Sequence, residues 1–95
     1  IHGVSFTGST ATGTHVSEIC ARRNIKCQTE MGGKNPSIVL KDADLDKTIP
    51  KLINASFGSA GQKCTATSRI IVEEHIFEEV ADRLKEEVSH LVMGC

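Results

Sequence analysis

Val4-Ser5-Phe6-Thr7-Gly8-Ser9-Thr10 reads as a short strand that passes through a small-residue turn into a helix start. Ser9 and Thr10 are both suitable N-caps. The segment that follows has Val16, Ile19 and Cys20 on one face, the spacing of an amphipathic helix. Arg22 and Arg23 suit the negative end of its dipole, and Asn24 is the expected C-cap. Strand, tight turn and helix in immediate succession indicate an α/β unit.

Working outward, Ile25 to Glu30 reads as a second strand, and Met31-Gly32-Gly33-Lys34-Asn35-Pro36 as a breaker cluster. Ile38-Val39-Leu40 is a short buried strand. Asp42, Asp44 and Asp46 announce a helix, because carboxylates favour the positive end of the dipole. Leu45, Ile49, Leu52 and Ile53 form its apolar stripe, with Pro50 expected to remove one hydrogen bond and bend it. Small residues from Gly58 to Gly61 end it. Thr67 to Val72 is a β-branched strand. The last helix carries Ile76, Phe77, Val80, Leu84, Val88 and Leu91 on one side. The order βα ββα βα predicts an α/β layout with parallel strands.

Ninety-five residues hold at most one domain. The chain begins at Ile1 and stops at Gly94-Cys95 without a polar tail, so part of a larger protein is expected. Eleven basic and twelve acidic residues give a net charge of −1, which leaves no footprint for nucleic acid or for an anionic membrane. With 3% aromatics and no Trp or Tyr, base-stacking platforms are nearly excluded. No apolar run is long enough to span a bilayer.

Cys20, Cys27, Cys64 and Cys95 include no C-x-x-C pair, and no His lies at zinc-finger spacing from them, so no metal is expected. Two disulfides of a secreted module are the alternative. Ordinary hydrophobic content and few turn residues favour free thiols in a reducing, cytoplasmic setting instead.

Three stretches carry candidate chemistry. In Gly61-Gln62-Lys63-Cys64-Thr65 a cysteine lies in a loop between a helix and a strand, open to a carbonyl substrate. A lone cysteine is more often buried and inert, and the loop setting weakens that reading. In Glu30-Met31-Gly32-Gly33-Lys34 a carboxylate at a strand end precedes paired glycines, where it can activate water. Taken alone, such a Glu is more often simply solvated. In Phe6-Thr7-Gly8-Ser9-Thr10 the helix N–H groups and the Ser hydroxyl can hold a phosphate, or the segment is merely a capped helix. It is neither G-x-G-x-x-G nor a P-loop.

Together and in this order, Phe6 to Thr10, Glu30 to Pro36, and Phe57 followed by Gly61-Gln62-Lys63-Cys64 resemble signature stretches of the aldehyde dehydrogenase superfamily. Asp42-Ala43-Asp44-Leu45-Asp46 resembles the acidic helix start between that family's Glu and Cys motifs. The resemblance covers essentially the whole chain. It implies a partial aldehyde dehydrogenase fold, with residues 1–30 ending a Rossmann-like cofactor domain and 31–95 starting the catalytic domain.

The resemblance also assigns roles. Cys64 matches the nucleophile that forms a thiohemiacetal and then a thioester, and its backbone N–H matches half of the oxyanion hole. Glu30 matches the base that activates water for hydrolysis to a free acid. Gly8 and Ser9 match positions at the pyrophosphate and adenosine side of NAD or NADP. Thr7 and Met31 match positions near the nicotinamide. Gly13 and Gly32 complete the implied cofactor set, with Gly32 and Gly33 leaving room for the nicotinamide.

Other residues of the family's site belong to motifs this chain does not contain. The 95 residues alone are therefore expected not to turn over. The implied partner is a small aldehyde, and the intact enzyme is expected to be a homo-oligomer. The Gly61 to Arg69 run with Glu30-Met31 resembles the branch acting on short dicarboxylic semialdehydes such as 2-oxoglutarate semialdehyde. The rivals are a CoA-acylating relative, against which Glu30 counts, and a non-catalytic protein keeping only the fold, against which the Cys64–Glu30 set counts.

Overall fold

A computed structural model describes residues 1–94; Cys95 lies outside the described residues. Seven main elements run in the order β1 (Gly3–Gly8), α1 (Thr10–Arg22), β2 (Lys26–Met31), β3 (Asn35–Val39), α2 (Leu45–Phe57), β4 (Thr67–Val72) and α3 (Phe77–Ser89). This is the predicted α/β order. The chain divides into two compact units, Ile1–Gly33 and Lys34–Cys95.

In the first unit β1 and β2 are parallel, with α1 as the crossover between them. Ser9 is the N-cap of α1, its side chain accepting from the Thr12 N–H. At the other end the C-cap is Arg23 rather than Asn24. Asn24 takes the next position, with φ at 54°, the left-handed conformation that Asn tolerates better than most residues. Cys20 is buried on the inner face of α1, whereas Ile19 is 40% exposed.

In the second unit β3 and β4 are parallel, joined through α2. β3 starts at Asn35, so Asn35-Pro36 begins a strand and is not a breaker. Pro36 is tolerated because the pairing register shifts there and the sheet has only two strands. Val39 is buried, but Ile38 and Leu40 are 66% and 57% exposed, so this strand is buried on one side only.

Asp44 caps α2 by accepting from the Lys47 N–H. α2 runs through Pro50, which leaves the Asp46 carbonyl without its usual i+4 partner. The core is Val39, Ile49, Leu52 and Val80, with Leu45, Ile53, Ile70, Ile76 and Leu84 packed against it. Fully burying each of the four core side chains is worth about 1.5–3 kcal/mol. On α3 the inward stripe is Val80 and Leu84, preceded by Ile76. Phe77 and Val88 stay about half exposed, and Leu91 falls beyond the helix end. No described helix is long and apolar enough to cross a membrane.

Candidate active site

The first unit gathers its candidate residues at one end. In the β1–β2 register Thr7 pairs with Glu30 and Gly8 with Met31. Both strands therefore finish together, beside the N-terminus of α1, the usual place for ligands on a parallel sheet. Thr7, Gly8, Ser9, Glu30 and Gly32 are exposed there, while Gly13 is buried.

The glycines do different work. A Cβ on Gly13 would stand 2.5 Å from Met31 Sδ and 3.3 Å from Phe6 Cε1, so its bareness lets α1 lie close on the strands. A Cβ on Gly8 would stand 2.7 Å from Phe6 Cζ, again a packing constraint. At Gly32 an added Cβ would meet nothing within 4 Å, so that position is open. The Ser9 hydroxyl is engaged locally, donating to Thr12 Oγ1 at 2.9 Å and accepting from the Thr12 N–H at 3.3 Å. An anion at this helix end would therefore meet backbone N–H groups first.

The second unit holds Cys64. α2 ends at Phe57, and Ser59, Ala60 and Gly61 follow with φ of 55°, 55° and 69°. Three successive left-handed residues turn the chain sharply before Gln62. Cys64 lies in the turn that follows, which the Ala66 N–H closes on the Lys63 carbonyl at 3.0 Å. Its thiol is exposed. Asn35, at the start of β3, donates from Nδ2 to the Cys64 carbonyl at 2.6 Å and to the Ala66 carbonyl at 3.1 Å.

The other described cysteines differ. Burial pushes the Cys20 thiol up, and the neighbouring Cys27 pushes it further. Such a thiol is a poor source of thiolate. Cys27 is exposed on β2, its Sγ 3.9 Å from Ser17 Oγ. Cys20, Cys27 and Cys64 are all free thiols.

Reading the motifs missed Asn35, which had been absorbed into the breaker cluster. Its signal is its position: an Asn directly before a proline carries two side-chain donors where the following residue has no backbone N–H.

The aldehyde dehydrogenase family model matches residues 1–95, the entire chain. The chain belongs to the aldehyde dehydrogenase family. Among members of that family, it is 43% identical over 94 residues to alpha-ketoglutaric semialdehyde dehydrogenase of Bacillus subtilis (strain 168), covering 99% of this chain and 19% of that protein. To human (Homo sapiens) retinal dehydrogenase 2 it is 44% identical over 95 residues, covering 99% of this chain and 18% of that protein. The crystal structure of betaine aldehyde dehydrogenase from Staphylococcus aureus in complex with NAD+ superposes with a TM-score of 0.94 at 35% identity. That match covers 99% of this chain and 19% of the other. The chain thus spans about a fifth of the length of these aldehyde dehydrogenases, and its fold is part of theirs.

Proposed function

We propose that this chain is the segment of an NAD(P)-dependent aldehyde dehydrogenase that carries the nucleophile Cys64 and the general base Glu30. The observation that carries the reading is the placement of Cys64, an exposed free thiol in a tight turn, inside a chain that matches the family throughout. Residues 1–30 would close the cofactor domain and 31–95 would open the catalytic domain.

The end of the first unit suits a dinucleotide. Helix N–H groups beside Gly8 and Ser9 offer donors to a pyrophosphate, while Thr7 lies opposite Glu30 on the neighbouring strand and Met31 directly precedes the open position at Gly32. Gly13 contributes by letting α1 approach the strands. A bound dinucleotide would supply the hydride acceptor for the oxidation.

The chain's own residues then act as follows. The Cys64 thiolate adds to the aldehyde carbon, forming the C–S bond of a thiohemiacetal. Its backbone N–H donates to the oxygen on which charge develops. After the oxidation Cys64 holds the acyl group as a thioester. Glu30 takes a proton from water, the water oxygen bonds to the acyl carbon, and the C–S bond breaks to release the acid. A carboxylate at position 30 favours this hydrolysis over transfer to coenzyme A.

Within the family we place the substrate among short dicarboxylic semialdehydes. The Gly61 to Arg69 run supports this, and so does similarity to the Bacillus subtilis enzyme; the retinal dehydrogenase at 44% identity represents the competing class. The intact enzyme is proposed to be a cytoplasmic homo-oligomer.

Stopped-flow absorbance of the intact enzyme with 2-oxoglutarate semialdehyde tests both roles. Glu30→Gln should keep the burst of reduced nicotinamide and slow the steady state by about 10²–10⁴-fold. Cys64→Ser should abolish the burst. An unchanged burst and steady state in Glu30→Gln would refute the general base. Faster turnover of retinal than of the semialdehyde would refute the substrate class.

A further inference from the structure

Asn35 stands at the start of β3, directly before Pro36. The β3–β4 register slips at this point: Asn35 pairs with Thr67 and Pro36 with Arg69, so Ser68 is bulged out of the ladder. Pro36 has no N–H to offer. The backbone pairing is thus interrupted just where β4 emerges from the cysteine turn.

The Asn35 side chain bridges that interruption. Its amide nitrogen has two hydrogens, and one is donated to each of the Cys64 and Ala66 carbonyls, at 2.6 Å and 3.1 Å. Asn35 is half-buried, its carbonyl accepts from the Ser68 hydroxyl at 3.5 Å, and the residues on either side of it are held as well. The Arg69 guanidinium donates to the Lys34 carbonyl at 2.9 Å and 3.3 Å, and the Ser37 and Thr67 hydroxyls meet at 2.8 Å. The holder is therefore anchored on regular structure, while the held residue lies in an exposed turn.

We infer that Asn35 is the positioning residue of the nucleophile, its amide fixing the Cys64 carbonyl and with it the aim of the thiol and of the Cys64 N–H. The inference rests on Cys64 being the nucleophile. Asn35 reaches the backbone only, so it acts on the reaction through Cys64. Orientation is costly to lose: a misplacement of about 1 Å can slow a reaction by about a hundredfold.

The test uses 4-nitrophenyl acetate with the intact enzyme. Thiolate attack forms the C–S bond of an acetyl thioester, breaks the ester C–O bond and releases coloured 4-nitrophenolate, with no need for aldehyde or dinucleotide. Burst amplitude counts competent thiols, and burst rate reads their aim.

Asn35→Asp is nearly isosteric but turns an acceptor toward two carbonyls, and Asn35→Ala removes the side chain beyond Cβ. Both should slow the burst by about ten- to a hundredfold, while Asn35→Gln, which keeps the amide, should recover part of the rate. A merely structural Asn35 would lower melting temperature and amplitude together and leave the rate per competent thiol at its wild-type value. A wild-type burst rate in Asn35→Asp, which should fold even if Asn35→Ala does not, overturns the inference. A burst that survives in Cys64→Ser overturns the nucleophile assignment itself, and the Asn35 role with it.

Discussion

At the scale of single residues, the three described thiols share one chemistry but differ in their surroundings. Cys20 is 4% exposed, and burial and then Cys27 push its thiol up. Cys27 and Cys64 are exposed. Alkylation follows thiolate fraction and access. Iodoacetamide at neutral pH should therefore label Cys64 and Cys27 well before Cys20, as read by peptide mass spectrometry. Modification of Cys20 as fast as Cys64 would contradict the assignment of Cys20 to packing. The motif around Cys64 was legible in the sequence, because Gly61-Gln62-Lys63-Cys64 is a local pattern. The burial of Cys20 and its proximity to Cys27 depend on how α1 docks on β2, which residue types alone do not state.

At the scale of elements, the caps and turns set where the chain changes direction. Asp44 is held below the ordinary carboxylate range by hydrogen bonds from Lys47, side chain first and backbone second. A lowered folded pKa means a stabilising contribution that is complete above the ordinary Asp value, about 3.9. That contribution disappears as pH falls through the lowered value. Thermal midpoints of the intact protein and Asp44→Asn, compared across a pH series, should therefore converge on acidification. A difference that stays constant at all pH values would show that the charge contributes nothing. Just before Cys64, Gly61 has φ at 69°, and an added Cβ would stand 3.0 Å from the Ser56 carbonyl. Gly61→Ala should cost about 1–2 kcal/mol in denaturant unfolding and slow acylation of Cys64. An alanine variant as stable and as fast as wild type would mean that the left-handed turn is not needed. The helices and strands were legible because their periodicities are local. The run of positive φ through Ser59 and Ala60 was not, since neither residue type favours it.

At the scale of the whole molecule, the two units are unequally supported. The large buried side chains Val39, Ile49, Leu52 and Val80 all belong to the second unit. Among the described residues, the first unit's buried positions are Gly13 and Cys20. A unit this small with so little buried surface has little to set against chain entropy. Hydrogen exchange on the isolated chain should show residues 3–31 exchanging faster than β3, α2, β4 and α3. Phe57, Phe77, Val88 and Leu91 are between 40% and 51% exposed, so the isolated chain should also self-associate in light scattering. A monodisperse monomer with uniform protection would contradict both expectations.

The residue order alone was enough for the α/β class, the parallel pairing, the family and the candidates Cys64 and Glu30. Each rests on a signal confined to a few consecutive residues, or on the order in which such signals follow one another. Packing decided the rest. Gly13 is bare because Met31 and Phe6 lie against it, and the stripe on α3 is narrower than its pattern because Val80 and Leu84 are the α3 residues that join the core. Asn35 reaches Cys64 across 29 residues of chain. A hydrogen bond between residues so far apart exists only once β3 and β4 have paired, and no local pattern in the chain could carry it.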